Sequence, residues 1–431
     1  MKIMDDPIPA RISFLPRRWT ALFCALVGTL IMWSCRVPDP PVLKNKSMGV
    51  VYDTAMEDEI RSGKAHALVM TSLASYVDTL AESVAVTDWS DDSSSWNIYV
   101  ATNRGWFESP GEPEAANQVL DEPQYGLCNV TLPRHRKGEE FQVKNTKSRV
   151  STVSASANDG ASAAVDSEPL TEADFLAGVN DLVERSRQHD LLVFIHGFNV
   201  SFESAVARTA QLALDIPFNG AAVAYCWPTQ GGVMKYSSDE PINKASVAPF
   251  TQFLTTLREG VPEDTRIHIV VHSMGNRIVM ESLSDLPAPE GEKPFTNVVL
   301  CAPDVGRSDF EKWAPGVAAH SERVTLYANM SDSALIASKG LHSEARAGDA
   351  WKPVIVDGIE TVDCSRVDLT MMGHSYFGGN TDVLGDLFML LKEDRPASKR
   401  PHLDKKKQGK QAYWQFSRTA PTIMYTWHYE E

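Results

Sequence analysis

From Leu170 onward, short apolar runs alternate with segments whose apolar residues recur at helical spacing. The first helical segment follows Thr171, with Asp174 three residues later in the place of a capping-box glutamate. The runs are apolar on both faces, which is typical of central strands that are covered on both sides. The pattern predicts an α/β fold with a mostly parallel central sheet and helices on both faces. The predicted strands lie in LLVFIHG (191–197), AAVAYCW (221–227), RIHIVVHS (266–273), NVVLCAP (297–303), RVTLYAN (323–329) and IETVDC (359–364).

Two segments ahead of this region also alternate like strands. WNIYVATNRGWF (96–107) and YGLCNVTLP (125–133) predict a strand extension that pairs with the main sheet. The Ser-, Ala- and Thr-rich run at about 148–167 has no periodicity and predicts a mobile loop. We place the main domain at 96–391 and a tether with an N-terminal extension at 35–95.

Residues 392–431 form a Lys-rich and aromatic C-terminal extension. Its lysines predict a solvated tail, with contact to anionic lipid or cell-wall polymer as a second possibility. The aromatic residues between 413 and 429 predict that its end packs back on the domain.

The N-terminus predicts an export signal at 1–34. Arginines precede an uncharged run from Trp19 to Trp33, which has the length of a signal-peptide core rather than of a membrane span. Ser34 and Cys35 resemble the end of a lipobox, so Cys35 is a candidate for lipidation; an uncleaved anchor and a plain secretory peptide remain alternatives. The sequence thus favours an exported, membrane-tethered lipoprotein or a periplasmic protein.

The composition and the absence of certain motifs argue against several classes of function. The chain has 431 residues, 43% of them hydrophobic, and a formal net charge of −15, so it can bury a large core. The negative charge argues against a general nucleic-acid binder. No zinc-type Cys/His spacing, P-loop or dinucleotide-binding glycine pattern occurs, so no metal or organic cofactor is implied. Cys226 and Cys301 lie in apolar runs, which favours buried free thiols over disulfides.

The run Val271-His272-Ser273-Met274-Gly275 follows a predicted strand and precedes a predicted helix. This is the context of the G-x-S-x-G elbow, which presents a nucleophilic serine on a sharp turn, although Val271 replaces the first glycine. The alternative is that Ser273 caps the helix.

A second predicted strand ends in His196-Gly197-Phe198. We expect the backbone N–H groups of Phe198 and Met274 to form an oxyanion hole beside the serine, whereas the alternative for the His-Gly pair is an ordinary turn.

The order serine, acid, histidine along the chain predicts the rest of a catalytic triad. Asp332 follows the strand in RVTLYAN, and His374 follows the last predicted strand. Asp304, in CAPDV, is a second candidate for the acid. His374 would act as the base and Asp332 would orient it.

The region from about Ile98 to Leu387 resembles an uncharacterised bacterial α/β-hydrolase family, esterase- or lipase-like and often exported. The resemblance implies an α/β-hydrolase fold and a triad of Ser273, Asp332 and His374, and it implies no substrate. The matching motifs are YVATNR (99–104), YGLCNVTLP (125–133), VFIHGFNVSFESAVARTAQLA (193–213), CWPTQG (226–231), HSMGNR (272–277), CAPDV (301–305), ARAGD (345–349) and GHSYF (373–377).

The sequence therefore favours a serine hydrolase that cleaves a small-molecule or lipid-like carboxylic ester through an acyl-enzyme. Trp227 and Tyr236 are candidates for an apolar substrate wall, or else pack beneath a loop. The alternatives are a non-catalytic envelope scaffold that keeps the fold, and a thioesterase or amidase.

Overall fold

The computed structural model describes most of the chain between residues 83 and 417. Several features predicted from the sequence lie outside the described residues: the signal peptide, Cys35 with the tether up to residue 82, His374, and the aromatic segment beyond residue 417. The described ranges are 83–90, 93–105, 118–133, 141–144, 150–155, 162–216, 218–287, 291, 293–367 and 381–417.

The described strands belong to one 14-stranded sheet. They are β1 (Val86–Trp89), β2 (Ser93–Arg104), β3 (Val119–Pro133), β4 (Phe141–Lys144), β5 (Val150–Ala155), β6 (Ser162–Leu170), β7 (Asp190–Ile195), β8 (Ala221–Cys226), β9 (Arg266–His272), β10 (Phe295–Cys301), β11 (Ser321–Ala328), β12 (Ile359–Asp363), β13 (Leu403–Gln408) and β14 (Gln411–Phe416).

The described helices lie mainly between successive parallel strands. They are α1 (Glu172–Arg185), α2 (Phe202–Asp215), α3 (Tyr236–Ala245), α4 (Val247–Gly260), α5 (Gly275–Asp285), α6 (Arg307–His320), α7 (Ser333–His342) and α8 (Thr381–Leu391). Thr171 caps α1 by accepting a hydrogen bond from the Asp174 N–H, as predicted, and Ser201 caps α2 in the same way.

The centre of the sheet is parallel and covered, which confirms the prediction from the apolar runs. Strands run in the order β2, β8, β7, β9, β10, β11, β12, with every neighbouring pair parallel. Every residue of β7 and β8 is buried. Because β7 lies between β8 and β9, the chain reverses its direction of travel across the sheet at β7. Ligand sites in such sheets lie at the carboxyl ends of the strands where this reversal occurs.

The N-terminal extension pairs with the main sheet as predicted. β2 is parallel to β8, with Thr102 opposite Cys226, and β3 is antiparallel to β2. The extension therefore continues the sheet of the main domain.

The prediction of a mobile loop at about 148–167 is wrong for the described part of that segment. β5 and β6 lie there, antiparallel to each other, and β6 also pairs with β3. The small polar side chains hide these strands from a periodicity search, because ladder pairing uses backbone groups and needs no apolar face.

The solvated tail predicted after residue 391 is also wrong for residues 403–416. β13 and β14 form an antiparallel hairpin, and β14 pairs in parallel with β12. Leu403 and Phe416 are buried, so the end of the described chain packs back as its aromatic content predicted. Arg400 is buried as well, in an ion pair with Asp386.

Cys226 and Cys301 are buried free thiols, which confirms that prediction, and Cys128 and Cys364 share this state. Among the described helices, none is both long and apolar enough to cross a bilayer.

Candidate active site

Ser273 occupies the turn between β9 and α5 with a backbone φ of +52°. A non-glycine residue in this left-handed region costs on the order of 1–3 kcal/mol and persists only when its surroundings fix it. The backbone here is fixed on both sides. The Ser273 N–H donates to the Cys301 carbonyl at 2.9 Å, and the Ser273 carbonyl accepts from the Asp304 N–H at 3.2 Å and from the Asn276 side-chain amide at 2.9 Å.

Ser273 does not cap α5. Met274 holds the capping position, and no side-chain hydrogen bond caps this helix. The strained strand-to-helix turn is therefore the geometry of a nucleophile elbow.

Gly275 explains how the elbow accommodates Val271. A Cβ added at Gly275 would lie 2.5 Å from the His196 carbonyl oxygen and 3.3 Å from the Val271 Cγ2. The close approach between α5 and β7 thus depends on the second glycine of the motif, and the first position tolerates a buried valine.

The end of β7 lies directly against the elbow. A Cβ added at Gly197 would lie 2.8 Å from the Ser273 Cβ and 3.0 Å from His272 Nδ1. The residue after Gly197 is Phe198, so the structure brings the predicted second oxyanion donor next to the serine. Within the described chain, the backbone N–H groups of Phe198 and Met274 donate to no protein acceptor. Both are thus available to a substrate oxygen.

Asp332 follows the carboxyl end of β11, which β10 separates from β9, and it directly precedes α7. Its side chain is 1% exposed, and Oδ1 accepts from the Leu335 N–H at 3.0 Å as the cap of that helix. His374 lies outside the described residues, so the assignment of Asp332 and His374 to a triad stays a prediction.

Asp304 takes part in a buried ionic network. Arg346 Nε lies 2.9 Å from Oδ1, and the Ser338 hydroxyl donates to the same oxygen at 2.6 Å. Tyr236 donates its hydroxyl to Oδ2, which also lies 3.5 Å from Arg277 Nη2. Burial alone would raise the pKa of Asp304, but the two guanidiniums and two hydroxyls hold it below its ordinary value. Both carboxylate oxygens of Asp304 are thus engaged by described side chains, and the choice between Asp332 and Asp304 as the acid of a triad stays a prediction.

The two aromatic candidates for a substrate wall differ. Trp227 is fully buried, and its indole N–H donates to the His196 carbonyl at 2.8 Å, so the alternative of packing beneath a loop is correct for it. Tyr236 is only partly buried, and its ring meets that of Phe198 edge-on at 5.2 Å. Tyr236 therefore lies beside the predicted oxyanion hole.

Sequence reasoning gave no role to Arg104 or His196. Arg104 is 2% exposed and donates to the carbonyls of Trp227 and Val200 at 2.9 and 2.8 Å. His196 is buried against Trp227, with ring centroids 5.3 Å apart, and burial together with the charge of Arg104 lowers its pKa to about 3. Arg104 lies in the motif YVATNR (99–104) and His196 in VFIHGFNVSFESAVARTAQLA (193–213). The motifs alone do not indicate which groups these two side chains contact; the folded structure does.

Within the described ranges, no three His, Cys, Asp or Glu side chains are arranged to hold a metal ion.

Comparison with known proteins finds partial similarity to an uncharacterized protein of Nostoc sp. (strain PCC 7120). The two are 24% identical over 132 residues, which cover 25% of this chain and 34% of that protein. The match thus spans about a third of the relative's length.

Three solved esterase structures also resemble this chain. An arylesterase is 10% identical with a TM-score of 0.29, and the match covers 79% of this chain and 98% of that one. Esterase B from Lactobacillus rhamnosis is 12% identical with a TM-score of 0.31, covering 79% and 100%. A thermostable esterase from Pseudomonas putida is 12% identical with a TM-score of 0.29, covering 80% and 96%. TM-scores this low support no inference about the substrate of this chain.

A family model matches residues 171–393, from the helix before β7 to the end of α8, which is more than half of the chain. This chain therefore belongs to the alpha/beta hydrolases of unknown function (DUF900).

Proposed function

We propose that this protein is a serine hydrolase that cleaves carboxylic esters through an acyl-enzyme intermediate, with Ser273 as the nucleophile. One observation carries the proposal: Ser273 sits in a left-handed backbone conformation at the end of a buried strand, with the Gly197 turn packed against it. Stored backbone strain clusters at active sites, and this strain lies at the strand-to-helix turn where an elbow presents its nucleophile.

In the proposed mechanism, His374 removes the proton of the Ser273 hydroxyl as Oγ attacks the ester carbonyl carbon. The negative charge that develops on the carbonyl oxygen is met by the backbone N–H groups of Met274 and Phe198. His374 then gives its proton to the departing alcohol, leaving the acyl group on Ser273. Water repeats the sequence and releases the carboxylic acid, while Asp332 orients the imidazole and stabilises its charged form.

Fluorophosphonate labelling tests the nucleophile, because only an activated serine reacts. We expect wild-type protein and Ser343→Ala to be labelled and Ser273→Ala to remain unlabelled. Ser343 is a matched control, since it is exposed and also has a left-handed backbone, with φ of +55°. A folded wild-type protein that takes up no probe would instead support a non-catalytic envelope scaffold.

A panel of p-nitrophenyl esters of graded chain length, acyl thioesters and amides tests the bond that is cleaved. We expect ester hydrolysis to be fastest. Faster turnover of thioesters or amides would reassign the protein to a thioesterase or an amidase.

We further propose that the chain is exported and tethered to the membrane through lipid on Cys35, which would bring the site to small or lipid-like esters in the cell envelope. The support is the arrangement of arginines, an apolar run and Ser34-Cys35 in the sequence. Metabolic labelling with palmitate should mark the wild-type chain and fail for Cys35→Ser. Label that survives this substitution would exclude Cys35 as the lipidated residue.

A further inference from the structure

The segment that carries the Phe198 N–H is hydrogen-bonded at both of its ends. At its start, the indole N–H of Trp227 donates to the His196 carbonyl at 2.8 Å. At its end, the Val200 carbonyl accepts from Arg104 Nη2 at 2.8 Å and from the Thr229 hydroxyl at 3.0 Å. We call residues 196–200 the oxyanion loop.

Arg104 is common to both attachments. Besides its bond to Val200, its Nε donates to the carbonyl of Trp227 at 2.9 Å, the residue whose indole holds His196. A planar guanidinium presents donors in fixed directions, so one side chain can hold two carbonyls in a set geometry. Lysine offers a single compact ammonium and lacks this fork.

The guanidinium acts from a buried position. Burial lowers the pKa of Arg104, while Glu203 and Asp239 are among the groups that counter this effect. Hydrogen bonds from a charged donor in such surroundings are stronger than those between neutral groups. The same positive charge adds to burial in keeping the His196 imidazole, inside the oxyanion loop, neutral.

Arg104 comes from the N-terminal extension, ahead of residues 171–393 that the family shares. It is the last residue of β2, and that strand is fixed beside β8 by the pairing of Thr102 with Cys226. The Thr102 hydroxyl also donates to the Cys226 carbonyl. The register of this strand pair therefore sets where the guanidinium lies.

We propose that Arg104 is a positioning residue for catalysis, which fixes the oxyanion loop so that the Phe198 N–H already points at the site where negative charge develops. This inference rests on the proposed hydrolase function and assigns the extension a part in the active site. A preorganised donor stabilises the transition state without reorganising during the reaction, and a loop that must first be ordered loses this advantage.

Kinetics of Arg104→Lys and Thr229→Val test the proposal, with Arg266→Lys as the control. Arg266 also donates to a backbone carbonyl, that of Leu391 at 3.1 Å, but it begins β9 at the opposite end from Ser273.

We expect Arg104→Lys to lower kcat by about 10- to 100-fold with KM changed less than about 3-fold, since loss of a whole oxyanion donor lowers kcat by about 100- to 1000-fold. Thr229→Val should act in the same direction and more weakly. Because both side chains serve the Val200 carbonyl, the two effects should not be additive.

Two further measurements separate positioning from a general loss of stability. Affinity for a trifluoromethyl ketone, which forms an oxyanion on the serine, should fall by the same factor as kcat/KM in Arg104→Lys. Amide hydrogen exchange in the oxyanion loop should become faster in this variant and stay at the wild-type rate in Arg266→Lys. If Arg104→Lys fails to fold, Thr229→Val and Trp227→Phe, which removes the donor to His196, provide the same test.

Variants at Arg104 and Thr229 that lose stability but keep wild-type kcat, ketone affinity and loop exchange would overturn the inference. In that case an active wild-type enzyme would leave the proposed hydrolase function standing. A wild-type protein without hydrolase activity would overturn both proposals together.

Discussion

The Gly197 backbone approaches Ser273 so closely that a Cβ at position 197 would lie 2.8 Å from the Cβ of the serine. It would also lie 3.3 Å from the His272 carbonyl oxygen. Contacts of this kind leave room only for hydrogen, so the carboxyl ends of β7 and β9 meet with no side chain between them. The serine and the Phe198 N–H can therefore serve the same substrate carbonyl.

Gly197→Ala is expected to lower kcat/KM by about 10- to 100-fold, because the oxyanion loop must move away from the serine and a displacement on the order of 1 Å can lower rates about 100-fold. Steady-state hydrolysis of a p-nitrophenyl ester measures the effect. Gly260→Ala serves as a control, since its Cβ would meet the flexible end of Leu176, 2.6 Å away, where α4 ends. That variant should lose stability and keep its kcat, and equal kinetic losses in the two variants would contradict the argument.

Ser273→Gly should abolish hydrolysis and yet raise the free energy of unfolding by about 0.5–1 kcal/mol, because glycine adopts a positive φ without strain and its greater freedom in the unfolded chain offsets part of that gain. Ser343→Gly should give a similar gain at the end of α7 and leave activity unchanged, since Ser343 has φ of +55° and is exposed. Urea unfolding monitored by circular dichroism measures both. A loss of stability in Ser273→Gly would show that the strain at the elbow is not the dominant effect of the side chain.

The sequence predicted the centre of the fold because the strands from β7 to β12 are covered on both faces and therefore appear as apolar runs. The same reasoning missed β5 and β6, whose small polar residues carry no apolar signal. It also missed β13, where exposed Lys405 and Lys407 alternate with less exposed residues but dominate the composition.

The residues of the candidate site also differ in whether a local sequence pattern predicts them. Ser273, Gly275 and Phe198 lie within three residues of strand ends, so local motifs were sufficient to find them. Arg104 acts through carbonyls that are distant along the chain, at Val200 and Trp227, and no local pattern reports such a contact. For Trp227, an aromatic next to a strand end suggested a substrate wall, whereas burial under the oxyanion loop is decided by tertiary packing.

Asp332→Asn separates the catalytic role proposed for Asp332 from its role as a helix cap. Asparagine caps helices about as well as aspartate, so the free energy of unfolding should change by less than about 0.5 kcal/mol. A neutral partner cannot stabilise the charged imidazole, so kcat should fall by about 10⁴-fold if Asp332 is the acid. Asp332→Ala should lose both the activity and about 1 kcal/mol of stability. Wild-type kcat in Asp332→Asn would exclude this residue as the acid.

Asp304→Asn is expected to destabilise the fold by about 3–5 kcal/mol, because it leaves the guanidinium of Arg346 buried beside a neutral group. If Asp304 only supports the structure, the folded fraction of this variant should retain fluorophosphonate labelling at Ser273. Thermal unfolding and labelling at a low temperature measure the two properties separately. A stable variant that takes up no probe would favour Asp304 as the acid of the triad.

The buried imidazole of His196 makes stability depend on pH in a predictable direction. Burial and the nearby charge of Arg104 lower its pKa from 6.5 to about 3 in the folded chain. Between these values the unfolded chain binds a proton that the folded chain does not, so the free energy of unfolding falls as the pH is lowered from about 6.5 toward 3. One such proton accounts for up to about 1.4 kcal/mol per pH unit.

His196→Gln removes this dependence, and the stability difference between wild type and variant should therefore shrink as the pH falls. Urea unfolding of both proteins at pH 7.5, 6.5, 5.5 and 4.5 measures the difference at each pH. Parallel pH profiles would mean that His196 binds its proton equally well in the folded and unfolded chains, which would contradict the effects of burial and of the Arg104 charge on its pKa.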